Sequence, residues 1–209
     1  MAAALGLARR GLGAVWPNPA VGCILVREGR VVGRGWTQPG GRPHAESEAL
    51  GRAGAAARGA TAYVTLEPCA HQGKTPPCTE ALIAAGVSRA VVALEDPDPR
   101  VKGAGLRALE AAGVALSVGL GAAEAGELNA GFIMRINQRR PLVTLKTATT
   151  LDSRIATRSG ASQWITGAPA RRQAHGLRAR HDAILVGAGT VAADDPELTC
   201  RLPGLAARS

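Results

Sequence analysis

Runs of apolar residues alternate with helix-like spacing along most of the chain. Ala20–Val26 (AVGCILV) and Arg30–Trp36 (RVVGRGW) are apolar runs parted by Arg-Glu-Gly, which predicts an antiparallel hairpin with Gly29 in the turn. After a Gly- and Pro-rich loop, HAESEALGRAGAAA (44–57) has helical spacing with acids in its first turn. Ala60–Leu66 reads as the next strand, Thr79–Gly86 as a helix closed by glycine, and Arg89–Leu94 as a strand. A helix over 105–113, a short strand over 114–118 and a helix around 122–138 follow. This alternation predicts an α/β fold with helices on both faces of a sheet, which the early hairpin makes mixed. The opening MAAALGLARRGLGAV predicts a first amphipathic helix, too short and too interrupted by Arg9 and Arg10 to span a membrane.

At Arg139–Lys146 (RRPLVTLK) a new strand is expected, and a domain boundary is placed near Pro141, giving units 1–140 and 141–209. The second unit should hold a helix over 168–180 and a strand over Asp182–Gly187. It has too few residues to bury a full core alone, so it is expected to be incomplete or to depend on a partner, which makes a homo-oligomer plausible.

Composition adds exclusions. The chain has 209 residues, 46% of them hydrophobic and 20% charged, as in ordinary globular proteins. Aromatics are only 2%, so stacking platforms for nucleic acid are absent and the core must be aliphatic. The net charge of +9 comes from arginines scattered between Arg9 and Arg208 without a long run, a distribution that does not predict a nucleic-acid surface. Four cysteines are few for a disulfide scaffold, and a reducing cytoplasm is the expected location.

The chemistry is concentrated in two stretches, His44-Ala45-Glu46 and Pro68-Cys69 to Cys78. Two thiolates and one imidazole suit tetrahedral Zn2+ with a fourth position open to water, whose pKa the metal can lower toward ~7. His71 is the competitor: as a fourth ligand it would make the site a closed, structural one. Deaminases carry H-x-E with P-C-x-x-C; here eight residues separate the cysteines, with Gly73 and Pro76-Pro77 marking the excursion. Cys78 is expected at a helix start, where backbone amides favour the thiolate. Residues 44 and 46 do not face each other on a regular helix, so they are expected at the loop-to-helix junction. Glu46 would then take the water's proton and pass it to the leaving nitrogen.

WPNPAVGCILV, GRPHAESEAL, TAYVTLEPCAHQGKTPPC and EDPDPRVKGAGL together resemble the deaminase domain of the bifunctional riboflavin-biosynthesis deaminase-reductases. The similarity continues through LKTATTLDSRIA, GASQWITG and LRARHDAILVGAGTVAADDPELTCRL, which resemble the opening of the reductase domain. The resemblance implies a cytidine-deaminase-like three-layer α/β/α domain followed by the start of a dihydrofolate-reductase-like α/β domain. It implies hydrolytic deamination of a phosphoribosylated diaminopyrimidinone, then reduction by NADPH. It assigns His44, Cys69 and Cys78 to zinc, Glu46 to proton transfer, Asn18 to the pyrimidine, and His71 and Lys74 to the substrate phosphate. In the second unit it assigns Ala148, Trp164, Thr190 and Asp194 to NADPH, and Ser162, Arg178, Leu198 and Arg201 to substrate. The family continues past Arg201, so the reductase domain is expected to be partial. A nucleic-acid or nucleoside deaminase of the cytidine-deaminase superfamily is the alternative function.

Overall fold

The computed structural model describes residues 1–73 and 75–205. The chain folds as two compact units, Met1–Leu142 and Val143–Ser209.

The first unit is built on five strands: β1 (Gly22–Arg27), β2 (Arg30–Trp36), β3 (Thr61–Val64), β4 (Arg89–Val92) and β5 (Ala115–Val118). Their order is β2-β1-β3-β4-β5. β1 is antiparallel to both β2 and β3, whereas β3, β4 and β5 run parallel, so the sheet is mixed as expected. The hairpin closes at the pair Arg27 and Arg30. Glu28 (φ 50) and Gly29 (φ 74) between them both adopt positive φ, the two-residue turn whose twist matches the strands.

Helices cover both faces because successive β1 side chains point to opposite sides. Cys23 and Leu25 join one aliphatic core with Ala45 and Ala49 of α2 (Ala45–Ala53), Leu82 of α3 (Cys78–Ala84) and Leu109 of α4 (Ala104–Ala111). Gly22, preceding Cys23 and so on the opposite face, approaches α1 (Ala2–Ala8) so closely that a Cβ would lie 2.0 Å from the Ala4 carbonyl oxygen. Leu5 of α1 packs with Ala93 and with Ala125 of α5 (Ala122–Leu128) in a smaller second core. The expected single helix over 122–138 is two, because Asn129 interrupts it before α6 (Ala130–Gln138). The Asn129 side chain, 3% exposed, accepts from Ala20 N–H and donates to Ala20 C=O, tying this corner to the segment before β1.

The second unit holds α7 (Ala168–Arg178) and α8 (Ala188–Asp194). The strands expected over 139–146 and 182–187 are not formed among the described residues. A strand exists only through a hydrogen-bonded neighbour, and here apolar residues of both segments stand in solvent, Leu145 85% and Leu185 97% exposed. No helix among the described residues is long and apolar enough to cross a membrane.

Candidate metal and catalytic site

Three connections converge on one site in the first unit. His44 is the N-cap of α2 in extended conformation (φ −71, ψ 160), and Glu46 lies in the first turn of that helix. The junction therefore places both groups in one region although they are two residues apart. Cys69 follows β3, and Cys78 opens α3.

The Nδ1 atom of His44 lies 3.7 Å from Cys69 Sγ and 3.4 Å from Cys78 Sγ. Bonds of ~2.3 Å to sulfur and ~2.05 Å to nitrogen at the tetrahedral angle put S and N ~3.6 Å apart, so this trio fits Zn2+. Their ligand atoms all lie within 4.8 Å of one another. His71 is exposed and is not part of that group among the described residues, so a closed four-ligand site with His71 is not what the chain builds.

The Cys69 thiol is drawn down to about 4, first by its hydrogen bond with the Cys78 thiol and then against the opposing effect of burial. The His44 ring and the Cys78 backbone N–H, 3.4 Å from Cys69 Sγ, add to this. Cys78 is pushed far up by the same thiol pairing and by burial. One anionic and one neutral sulfur side by side form a pair that a divalent cation converts to two thiolates. Glu46 is 3% exposed, and burial raises its carboxyl to about 7, opposed by the nearby His44.

Asn18 sits beside this group. Its amide donates to the Gly41 carbonyl at 2.9 Å and lies 3.4 Å from His44 Nε2. Lys74 lies outside the described residues. Arg42, not singled out by the motifs, reaches the same loop by a hydrogen bond to Thr75 Oγ1. Two acids of EDPDPRVKGAGL have no role assigned from the sequence. Asp96, 7% exposed, has its carboxyl raised to about 6, chiefly by burial. Asp98 is held below the usual carboxylate range by hydrogen bonds from Arg100, and His71 acts in the same direction. Their signal is the turn-rich EDPDPR, which periodicity reads only as a connection.

In the second unit, Arg178 and Leu198 line a common cavity of about 270 Å3 with His181, Asp182 and Thr199. Arg201 pairs with Glu197 at 2.9 Å. Ser162 is exposed, and Ala148 is half-buried in an irregular segment. Trp164 is 71% exposed under the Arg171 guanidinium, and Thr190 and Asp194 stand exposed on α8. These positions form no enclosed dinucleotide cradle among the described residues.

The family model for the cytidine and deoxycytidylate deaminase zinc-binding region matches residues 1–94, and that for the RibD C-terminal domain matches residues 141–209. The riboflavin biosynthesis protein RibD of Escherichia coli is 54% identical over 96% of this chain. The chain is thus similar to RibD proteins along nearly its whole length. Its counterpart from Aquifex aeolicus is 51% identical, again over 96% of the chain. The chain spans about half the length of these curated relatives, 55% and 56%. The crystal structure of a diaminohydroxyphosphoribosylaminopyrimidine deaminase/5-amino-6-(5-phosphoribosylamino)uracil reductase from Thermotoga maritima superposes with TM-score 0.92 at 43% identity. That match covers 98% of this chain and 59% of the other. Aspergillus oryzae Rib2 deaminase in complex with DARIPP matches at TM-score 0.52 and 25% identity, over 64% of this chain and 90% of that one. The first unit thus has the cytidine-deaminase-like fold, and the second corresponds to the RibD C-terminal domain.

Proposed function

We propose that this chain is a zinc-dependent aminohydrolase of riboflavin biosynthesis, with residues 1–140 as the deaminase domain and 141–209 as the N-terminal portion of a reductase domain. Its substrate is 2,5-diamino-6-(5-phosphoribosylamino)pyrimidin-4(3H)-one, the chemistry named in the Thermotoga relative. The observation that carries this reading is a buried carboxylate, Glu46, beside a His/Cys/Cys group whose spacing suits zinc.

His44, Cys69 and Cys78 hold the metal, which when bound supplies Lewis-acid activation of a water near neutral pH. Glu46 accepts that water's proton and returns it to the departing amino nitrogen, so that ammonia leaves as the C–N bond breaks. A carboxyl raised to about 7 by burial can exist in both forms near neutrality, which the two-way transfer requires. The Asn18 amide, beside His44, offers donor and acceptor to the pyrimidine edge. His71 and Lys74 meet the phosphate, and Arg42, bordering the same loop, adds a guanidinium suited to that group.

Ala148, Trp164, Thr190 and Asp194 correspond to NADPH positions, and Ser162, Arg178, Leu198 and Arg201 to reductase substrate positions. No reductive step is assigned to this chain. Two ligating thiols need a reducing compartment, which supports a cytoplasmic location. The exposed apolar residues of the second unit support self-association.

The test offers the phosphorylated diaminopyrimidinone with and without NADPH and follows ammonia and NADPH separately. Ammonia release independent of NADPH is expected. A zinc-loaded protein that releases none sinks the reading, and NADPH consumption overturns its restriction to deamination.

A further inference from the structure

Glu67 is a fully occupied carboxylate that none of the roles above uses. It is 4% exposed and accepts four backbone N–H groups. Oε2 takes Asp96 at 3.1 Å and Gly103 at 2.9 Å, and Oε1 takes Gly105 at 2.8 Å and Leu106 at 3.3 Å. Gly103 is the N-cap of α4, and it provides no side-chain cap. The free amides of that helix's first turn, which ordinarily bond a local Ser, Thr or Asp, are satisfied by a residue 36 to 39 positions earlier. Peptide dipoles at a helix start also stabilise the negative charge.

Glu67 stands two residues before Cys69, and the intervening Pro68 is pressed against the same helix start. A Cβ on Gly105 would lie 2.0 Å from the Pro68 carbonyl oxygen. On its other side Cys69 is tied to α3: its carbonyl accepts from Thr79 N and Oγ1, both at 3.2 Å, and its sulfur from Cys78 N. The two cysteines therefore hold each other through α3. Glu67 holds the first of them against α4 and against the 96–103 segment that carries Asp96 and Asp98.

We propose that Glu67 is a positioning residue for the metal centre: by capping α4 from the strand side it fixes Cys69 relative to His44 and locks the 96–103 segment to the site. This rests on the zinc reading above. Glu67→Gln keeps the shape but turns an NH2 toward two of the four amides, leaving them without an acceptor. Glu67→Asp keeps the charge and shortens the reach by one methylene. Groups that orient a ligand commonly change metal affinity by about 10–100-fold.

The full chain is loaded with zinc, and release to a chromophoric chelator is timed well below each variant's melting temperature. Release about 10-fold faster or more is expected for Glu67→Gln, with Glu67→Asp changed in the same direction. Leu109→Val, which thins the core under α4, reports what lost stability alone does, and it should release zinc at the wild-type rate. Wild-type release from both Glu67 variants overturns the inference, as does equal acceleration in Leu109→Val. If Glu67→Gln does not fold, Glu67→Asp alone decides. A wild type that holds no zinc sinks the zinc reading itself, a different failure.

Discussion

Gly35 offers a way to move the helix that carries His44 and Glu46 without touching either residue. It lies in β2 beneath α2, opposite Cys23 in the ladder. A Cβ there would stand 2.1 Å from the Ala45 carbonyl oxygen, 2.6 Å from Ala49 N and 2.7 Å from Glu48 Cβ. The first two are backbone atoms, so no side-chain rotation relieves the clash. Reaching ordinary contact at 3.4 Å requires α2 to back away by about 1.3 Å at its first turn. That turn carries His44 and Glu46. Zinc ligands tolerate about 0.2 Å, so His44 would leave the range in which all three donors can bind.

Gly35→Ala is therefore expected to lower kcat/KM for ammonia release about 100-fold, roughly 2.7 kcal/mol in the barrier. Overpacking should also reduce stability by about 1–3 kcal/mol. Gly51→Ala is the control on the same helix: its Cβ meets nothing within 4 Å, and replacing a helical glycine should stabilise by about 0.5–1 kcal/mol with activity unchanged. Ammonia kinetics, metal content and thermal melts on the three proteins make the comparison. A folded Gly35→Ala protein with full zinc content and kcat/KM within about threefold of wild type would refute the account of how β2 sets the site.

Glu46→Gln preserves shape and removes the proposed proton carrier, so kcat should fall by about 10²–10⁴ while bound zinc, read by metal analysis, stays at the wild-type level. Asp96 has a folded-state pKa raised to about 6 from an ordinary value near 3.8. The native state therefore binds the proton more tightly, and the Asp96 contribution to stability is present below about pH 4 and lost as pH rises through about 6. Asp96→Asn keeps the Oδ1 atom that accepts Asp98 N–H at 2.8 Å. Denaturant titrations should find it more stable than wild type at pH 7 by on the order of 2 kcal/mol, with the difference gone at about pH 4. Asn129→Leu leaves the Ala20 N–H and C=O, at a residue only 2% exposed, without partners. A loss of about 2–4 kcal/mol in chemical denaturation is expected.

What could be read from the chain alone was what depends on near neighbours. The hairpin at Glu28-Gly29, the placement of His44 and Glu46 at a helix junction and the position of Cys78 at a helix start each follow from residues within one turn of one another. Glu67 shows the opposite case. In sequence it is one acid before Pro-Cys, and nothing local marks it, because its four partners lie 29 to 39 residues away. Asn129 was likewise hidden inside a helical pattern, although its bonds to Ala20 span 109 residues and it breaks that helix in two. The strands expected in the second unit failed for a related reason. Their apolar pattern is strand-like, but a strand is a property of a pair, and among the described residues Leu145 and Leu185 have no ladder to join. Local pattern therefore locates the groups that do chemistry, whereas the groups that hold them at working distances are set by contacts between elements. Hence the residues hardest to find in this sequence, Glu67 and Gly35 among them, are those whose substitution should disturb the zinc site without altering any ligand.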